Sequence, residues 1–302
     1  VRCAGIDIGT NTLLLLIADI SPTGEITTVA DIQRTPRLGK DVDAERNIGL
    51  PAFQRIEKIL IEFIANCRGH EVEVISAYAT SAVRDARNRE EFLAYQREKT
   101  GLKIEVLSGQ EEAELTFKGA ISGLHASPSN YAVLDIGGGS TEISFMEGDK
   151  LVRRSLQMGS VRITERFFLH QPPLPEEIEA ARVFIQGELK SAGELQIKEK
   201  ELVGVAGTVT SLSCFEQGLK EFDAHNVDDF VLSGGMVREW SEKLASLTSA
   251  EILSLSSVAE GRADILSAGA LILAESMNHF QIEKIRASIR GLRYGIALKA
   301  GM

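Results

Sequence analysis

Three cysteines in 302 residues, Cys3, Cys67 and Cys214, are too few and too far apart for a disulfide framework or a structural zinc site. Reduced cytosol is therefore the expected compartment. Long apolar runs are missing as well. The longest, Leu13 to Ala18, is far below the ~20 residues that span a bilayer. No basic n-region or cleavage site accompanies it, so neither a membrane anchor nor a secretory leader is expected. Positive charge is also scarce: 33 Lys and Arg against 43 Asp and Glu give a net charge of -10. General binders of nucleic acid or anionic membrane need broad basic surface, so neither partner is expected. A phosphorylated substrate held by a few placed arginines is still compatible. The histidines His70, His125, His170, His225 and His279 show no zinc-like pairing.

What is present reads as a soluble globular protein, with 44% hydrophobic and 25% charged residues. A chain of 302 residues is too long for most single cores, so two domains are expected. The most informative feature is a repeat. GIDIGTNTLLLLIADI (Gly5–Ile20) and VLDIGGGSTEISFMEG (Val133–Gly148) are each a buried strand ending in an aspartate, a Gly-rich turn and a second strand. Such a turn lets a phosphate approach backbone amides beside a carboxylate able to hold a cation. The first copy opens a three-strand meander, followed by a polar stretch (Thr35–Pro51) and an amphipathic helix carrying Phe53, Ile56, Leu60 and Phe63. Strands at Val72–Ala79 and Lys103–Leu107 alternate with helices at Asn88–Lys99 and Glu111–Leu124. After the linker HASPSN (His125–Asn130) the order restarts. We therefore expect an α/β protein with domains at 1–124 and 125–302 and mixed, mostly parallel sheets covered on both faces.

The motif set resembles the exopolyphosphatase/guanosine pentaphosphate phosphatase family of the actin, sugar-kinase and chaperone superfamily. The matching segments are DIGTNT (Asp7–Thr12), ATSAVRDARN (Ala79–Asn88), SGQEEAELTFKGA (Ser108–Ala120), DIGGGSTE (Asp135–Glu142), AGTVTSL (Ala206–Leu212), GRADILSAGALIL (Gly261–Leu273) and SIRGLRYG (Ser288–Gly295). They stand in family order over nearly the whole chain. The resemblance implies two ribonuclease-H-like domains with the active site in the cleft between them. Longer members carry extra C-terminal helical domains, whereas this sequence stops at Met302, so distributive rather than processive attack on long chains is expected. Family members usually have an acidic residue where Tyr294 follows Arg293 here.

Hydrolysis of a terminal phosphoryl group needs a positioned water and neutralisation of dense negative charge. The resemblance implies that Glu112 is the catalytic base; helix-dipole complementation is the competing role for it and the one assigned to Glu111 and Glu114. It also implies that Arg84 contacts phosphate, against the reading of a solvated arginine near Arg87 and Arg89. Asp135 and Glu142 are the candidate Mg²⁺ ligands, with Asp7 a weaker third and Mn²⁺ as a substitute ion; an aspartate bonding its own turn is the alternative. Glu142 aligns with Leu14 of the first copy, an acid where only one copy needs it. Thr10, Asn11 and Thr12, with Gly137, Gly138, Gly139 and Ser140, are expected to offer amides and hydroxyls to phosphate, unless these are plain tight turns. Arg37 and Arg293 are secondary phosphate candidates, each equally suited to a structural role. Gly207 and Thr208 contact phosphate or a guanosine nucleotide, or simply start a helix with Thr208 as N-cap.

The function implied is Mg²⁺-dependent removal of the terminal phosphate of inorganic polyphosphate, or of the 5′ terminal phosphate of guanosine pentaphosphate. An ATP-dependent kinase and an actin-like or chaperone-like nucleotide switch are the competitors from other classes. The sequence does not fix the oligomeric state; a homodimer is compatible with it.

Overall fold

The computed structural model describes residues 1–39 and 46–302. Residues 40–45, inside the polar stretch expected at Thr35–Pro51, lie outside them. The chain divides into two compact units, Val1–Leu124 with Arg290–Met302, and His125–Ile289.

The first unit opens with β1 (Arg2–Ile8), β2 (Leu13–Ile20) and β3 (Ile26–Arg34), then α1 (Leu50–Gly69), β4 (Val74–Ala79), α2 (Ser81–Asp85), α3 (Arg89–Thr100), β5 (Ile104–Val106) and α4 (Gly109–Ile121). Among the described residues its sheet has five strands in the order β3-β2-β1-β4-β5. β1 and β2 are nearly all apolar because the sheet is covered on both faces. One of the faces packs on α1 through Phe53, Ile56, Leu60 and Phe63. β4 and β5 run parallel to β1, so the chain leaves all three strands at one edge of the sheet. That edge carries the turn after β1, the start of α2 and the start of α4. It is the edge where α/β folds place ligands.

The second unit repeats the plan with insertions: β6 (Tyr131–Ile136), β7 (Thr141–Glu147), β8 (Lys150–Leu156), α5 (Ser160–Phe167), α6 (Pro175–Ser191), β9 (Glu201–Val205) and α7 (Ala206–Glu216). Next come α8 (Ala224–Val227), β10 (Val231–Ser233), α9 (Gly234–Ala245), α10 (Ser249–Leu255), α11 (Leu266–His279) and β11 (Lys284–Ala287). Its described strands form a six-stranded sheet, β10-β11-β9-β6-β7-β8. β6, β9 and β11 are parallel, so again one edge collects the turn after β6 and the start of α7.

Two expectations are corrected. The sheets are mixed but not mostly parallel: in the first, β1–β2 and β2–β3 are antiparallel, and in the second β6–β7, β7–β8 and β10–β11 are. Two meanders and a short edge strand account for this. The second domain also does not run to residue 302. The last helix, α12 (Leu292–Gly301), belongs to the first unit. Tyr294 and Ala297 pack there against Cys3, Leu16 and Ala18, and the Cys3 thiol donates to the carbonyl of Ala297 at 3.1 Å.

Candidate active site

The repeat seen in the sequence is a structural repeat. In the first turn the amide of Gly9 donates to the carbonyl of Thr12 at 3.0 Å; in the second, Gly137 donates to Ser140, also at 3.0 Å. Asp7 faces Leu14 across β1–β2 in the same register in which Asp135 faces Glu142 across β6–β7.

In the first unit, Ser108 caps α4 in a capping box with Glu111, which uses the Glu111 side chain for the helix terminus. Glu114 pairs with Lys118 one turn later. The helix dipole thus already has its acids, and Glu112, between them, turns inward and is only 7% exposed. Its Oε2 accepts from Arg84 Nη1 at 2.7 Å, and the same nitrogen donates to the carbonyl of Leu107 at 3.0 Å. Desolvation pushes the Glu112 carboxyl above the ordinary range, more than the charge and hydrogen bond of Arg84 pull it down; Asp85 adds a smaller upward push. A carboxylate so placed is a better base than an exposed one. Arg84 is brought to it by α2, directly after β4. Nearby in sequence, the Ser81 hydroxyl meets the Thr10 hydroxyl at 2.8 Å, tying the turn after β1 to the start of α2.

The two secondary arginines are placed differently. Arg293 gives both arms of its fork to Asp31, Nε at 2.9 Å and Nη2 at 2.8 Å, which is a structural pairing. Arg37 sits in the left-handed region at φ 54, and its backbone amide donates to the carbonyl of Asn11 at 3.0 Å. Tyr294 is buried among apolar neighbours and stacks with Arg293, its ring centroid 5.1 Å from the guanidinium carbon.

In the second unit, Asp135 (8% exposed) and Glu142 (2% exposed) stand opposite each other in an antiparallel pair, so both side chains lie on one face of the sheet. Glu142 Oε1 accepts from the Ser155 hydroxyl at 2.7 Å. Two carboxylates side by side can share one cation. No group of three or more His, Cys, Asp or Glu among the described residues could hold a metal ion. A two-carboxylate set is of the kind Mg²⁺ takes, since that ion keeps several waters in its shell. Asp7 is in the other unit.

The turn at Gly137–Ser140 follows β6, and α7 follows β9. Thr208 is not the N-cap of α7: the helix begins at Ala206 with Val205 as the capping position and no side-chain cap. Thr208 lies inside the first turn, buried, with its hydroxyl against Gly269 of α11.

Two groups were not legible as site residues. Arg262, in the GRADILSAG segment, is only 8% exposed, and no acceptor among the described residues reaches its Nε. Its guanidinium lies on Gly207, where a Cβ would collide with Nη1. Burial lowers its pKa from the usual arginine value. A buried guanidinium beside the uncapped, positive end of a helix calls for an anion. An arginine ordinarily reads as exposed, so nothing in the sequence set Arg262 apart. The second group is the Met158–Arg162 segment, which encloses the glycine turn.

A model of the Ppx/GppA phosphatase family matches residues 16–300. The chain is 34% identical over 313 aligned residues to Exopolyphosphatase 2 of Mycobacterium tuberculosis, covering 98% of each. Among solved structures it is similar to an exopolyphosphatase-like protein, with a TM-score of 0.93, 33% identity and coverage of 99% and 97% of the two chains. It is similar also to the Aquifex aeolicus Ppx/GppA family member, with a TM-score of 0.82, 30% identity and coverage of 99% and 96%. The two-sheet α/β architecture is thus that of this family, in keeping with the expected ribonuclease-H-like, actin-like plan. No helix among the described residues is long and apolar enough to cross a membrane.

Proposed function

Because the chain belongs to the Ppx/GppA phosphatase family, we propose that it is an exopolyphosphatase that hydrolyses the terminal phosphoanhydride of inorganic polyphosphate. The observation that carries the reading is Glu112, a buried carboxylate above its ordinary pKa, gripped by a single arginine at the ligand edge of the sheet. The similarity to proteins named exopolyphosphatases favours polyphosphate over guanosine pentaphosphate as the substrate.

In this reading Glu112 takes a proton from water, whose oxygen attacks the terminal phosphorus. The bond from that phosphorus to the bridging oxygen breaks, and the bridging oxygen carries its electrons away on the shortened chain. Arg84 turns from its Nη1 contact with Glu112 to the phosphoryl oxygens, where its fork fits, as charge moves outward, and this leaves the carboxylate freer to accept the proton. Amides of the glycine turns bind further oxygens, and Arg262 with the start of α7 holds an anionic part of the substrate. Asp135 and Glu142 are the residues that would hold Mg²⁺, which when bound neutralises phosphate oxygens.

The test is phosphate release from polyphosphates of several lengths, guanosine pentaphosphate and ATP, with and without Mg²⁺. Polyphosphate is expected to give the highest kcat/KM and to require the metal. A preference for guanosine pentaphosphate would shift the assignment to the nucleotide. Release from none of them, or turnover only with a phosphate acceptor added, would remove the hydrolase reading.

A further inference from the structure

The glycine turn after β6 is held from one side. The amide of Ser160 donates to the carbonyl of Gly137 at 2.9 Å, and those of Val161 and Arg162 donate to the carbonyl of Gly138 at 2.9 and 3.1 Å. Arg162 Nε takes the third carbonyl, Gly139, at 2.6 Å. The neighbouring Thr141 hydroxyl donates back to the carbonyl of Met158 at 2.5 Å. Every carbonyl from Gly137 to Gly139 is thus bound by one short segment. A peptide unit carries its N–H opposite its C=O, so tethering the carbonyls fixes where the following amides point. Those of Gly138, Gly139 and Ser140 donate to no backbone acceptor among the described residues. They form a concavity of donors such as anions occupy. Gly159 makes the contact possible. A Cβ there would lie 2.5 Å from the carbonyl carbon of Gly138 and 2.6 Å from that of Gly139.

The first unit arrives at the same device independently. The amides of Arg37 and Gly39 take the carbonyls of Asn11 and Thr10 at 3.0 and 2.7 Å, and a Cβ on Gly39 would collide with the Thr10 side chain. Two unrelated segments, each with a glycine pressed onto the turn, tie down carbonyls of the duplicated motif. In the second unit a side chain is added to the backbone bonds.

We propose that Arg162 is a positioning residue: by holding the Gly139 carbonyl it pre-orients the glycine-turn amides for phosphate oxygens. The inference rests on the phosphate-cleaving reading only for the identity of its ligand. A turn left loose must be ordered at the moment of binding, so the loss appears in affinity.

Selective ¹⁵N-glycine labelling allows the Gly138 and Gly139 amides to be followed during titration with pyrophosphate, beside kcat and KM for tripolyphosphate. In the wild type both amides are expected to shift. Arg162→Met should raise the pyrophosphate Kd and the KM by roughly 10–100-fold, the range for partners that orient a site's ligating groups. Arg162→Lys, whose ammonium also donates to a carbonyl, should recover part of the loss. Should Arg162→Met melt early, Arg162→Lys against wild type carries the comparison, with a Kd between the two extremes as the supporting result. A purely structural Arg162 would lower the folded fraction and the apparent kcat at unchanged Kd and KM, which would overturn the proposal. So would wild-type glycine amides that ignore pyrophosphate while phosphate is being released. If the wild-type amides shift and weaken with Arg162→Met while no polyphosphate is hydrolysed, the positioning role stands and the proposed activity falls.

Discussion

Glu112→Gln is expected to lower kcat by roughly 10²–10⁴-fold, the usual loss of a general base, with KM little changed. Glutamine keeps the shape and can still accept from Arg84 Nη1, as Glu112 does at 2.7 Å, so folding and substrate binding survive. The pH profile gives a second view of the same group. Glu112 works as a base only when deprotonated, and burial holds its pKa above the ordinary carboxylate value. The acid limb of kcat/KM should therefore lie above the roughly pH 4.3 of a free glutamate. Arg84 opposes the rise. Arg84→Met should accordingly displace the limb to still higher pH, and Arg84→Lys should displace it less. A Glu112→Gln enzyme within a few-fold of wild type, or a limb that does not move with Arg84, would take the base assignment away from Glu112.

Asp135→Asn and Glu142→Gln should each raise the Mg²⁺ concentration for half-maximal activity by roughly 10–100-fold, as loss of one charge from a two-carboxylate set weakens a hard cation's site. The two residues face each other on one side of the sheet, both nearly excluded from solvent. Mn²⁺ binding followed by paramagnetic resonance gives a readout free of turnover, and the affinity should fall in parallel. Titrations that overlay wild type would make the pair structural, with the Ser155–Glu142 hydrogen bond as its visible role.

The strands that carry the candidate residues could be read from the sequence because they are strongly apolar. β2 and β6 lie where the hydrophobic runs put them, and the alignment of Glu142 with Leu14 is the actual pairing register. Glu111 was legible as a helix-terminal acid, and the structure makes it the capping-box partner of Ser108. Other features depend on contacts distant in sequence. β10 is three residues long at a sheet edge, below what alternation can reveal. α12 returns to the first unit through Tyr294, Ala297 and the Arg293–Asp31 pair, with partners more than 250 residues away. Thr208 looked like a cap because Gly207 resembles a helix boundary, yet Ala206 takes the left-handed φ of 69 and starts the helix one residue earlier. Arg162 and Arg262 gave no signal, since an arginine's burial is decided by what encloses it.

In the proposed reaction, water activated beside Glu112 attacks the terminal phosphorus. Single-turnover hydrolysis of tripolyphosphate in ¹⁸O-enriched water, read by the isotope shift in ³¹P resonance, tests it most directly. One ¹⁸O is expected in each released orthophosphate and none in the pyrophosphate left behind, with both signals lost in Glu112→Gln. Label in the pyrophosphate, or orthophosphate released without label, would contradict it.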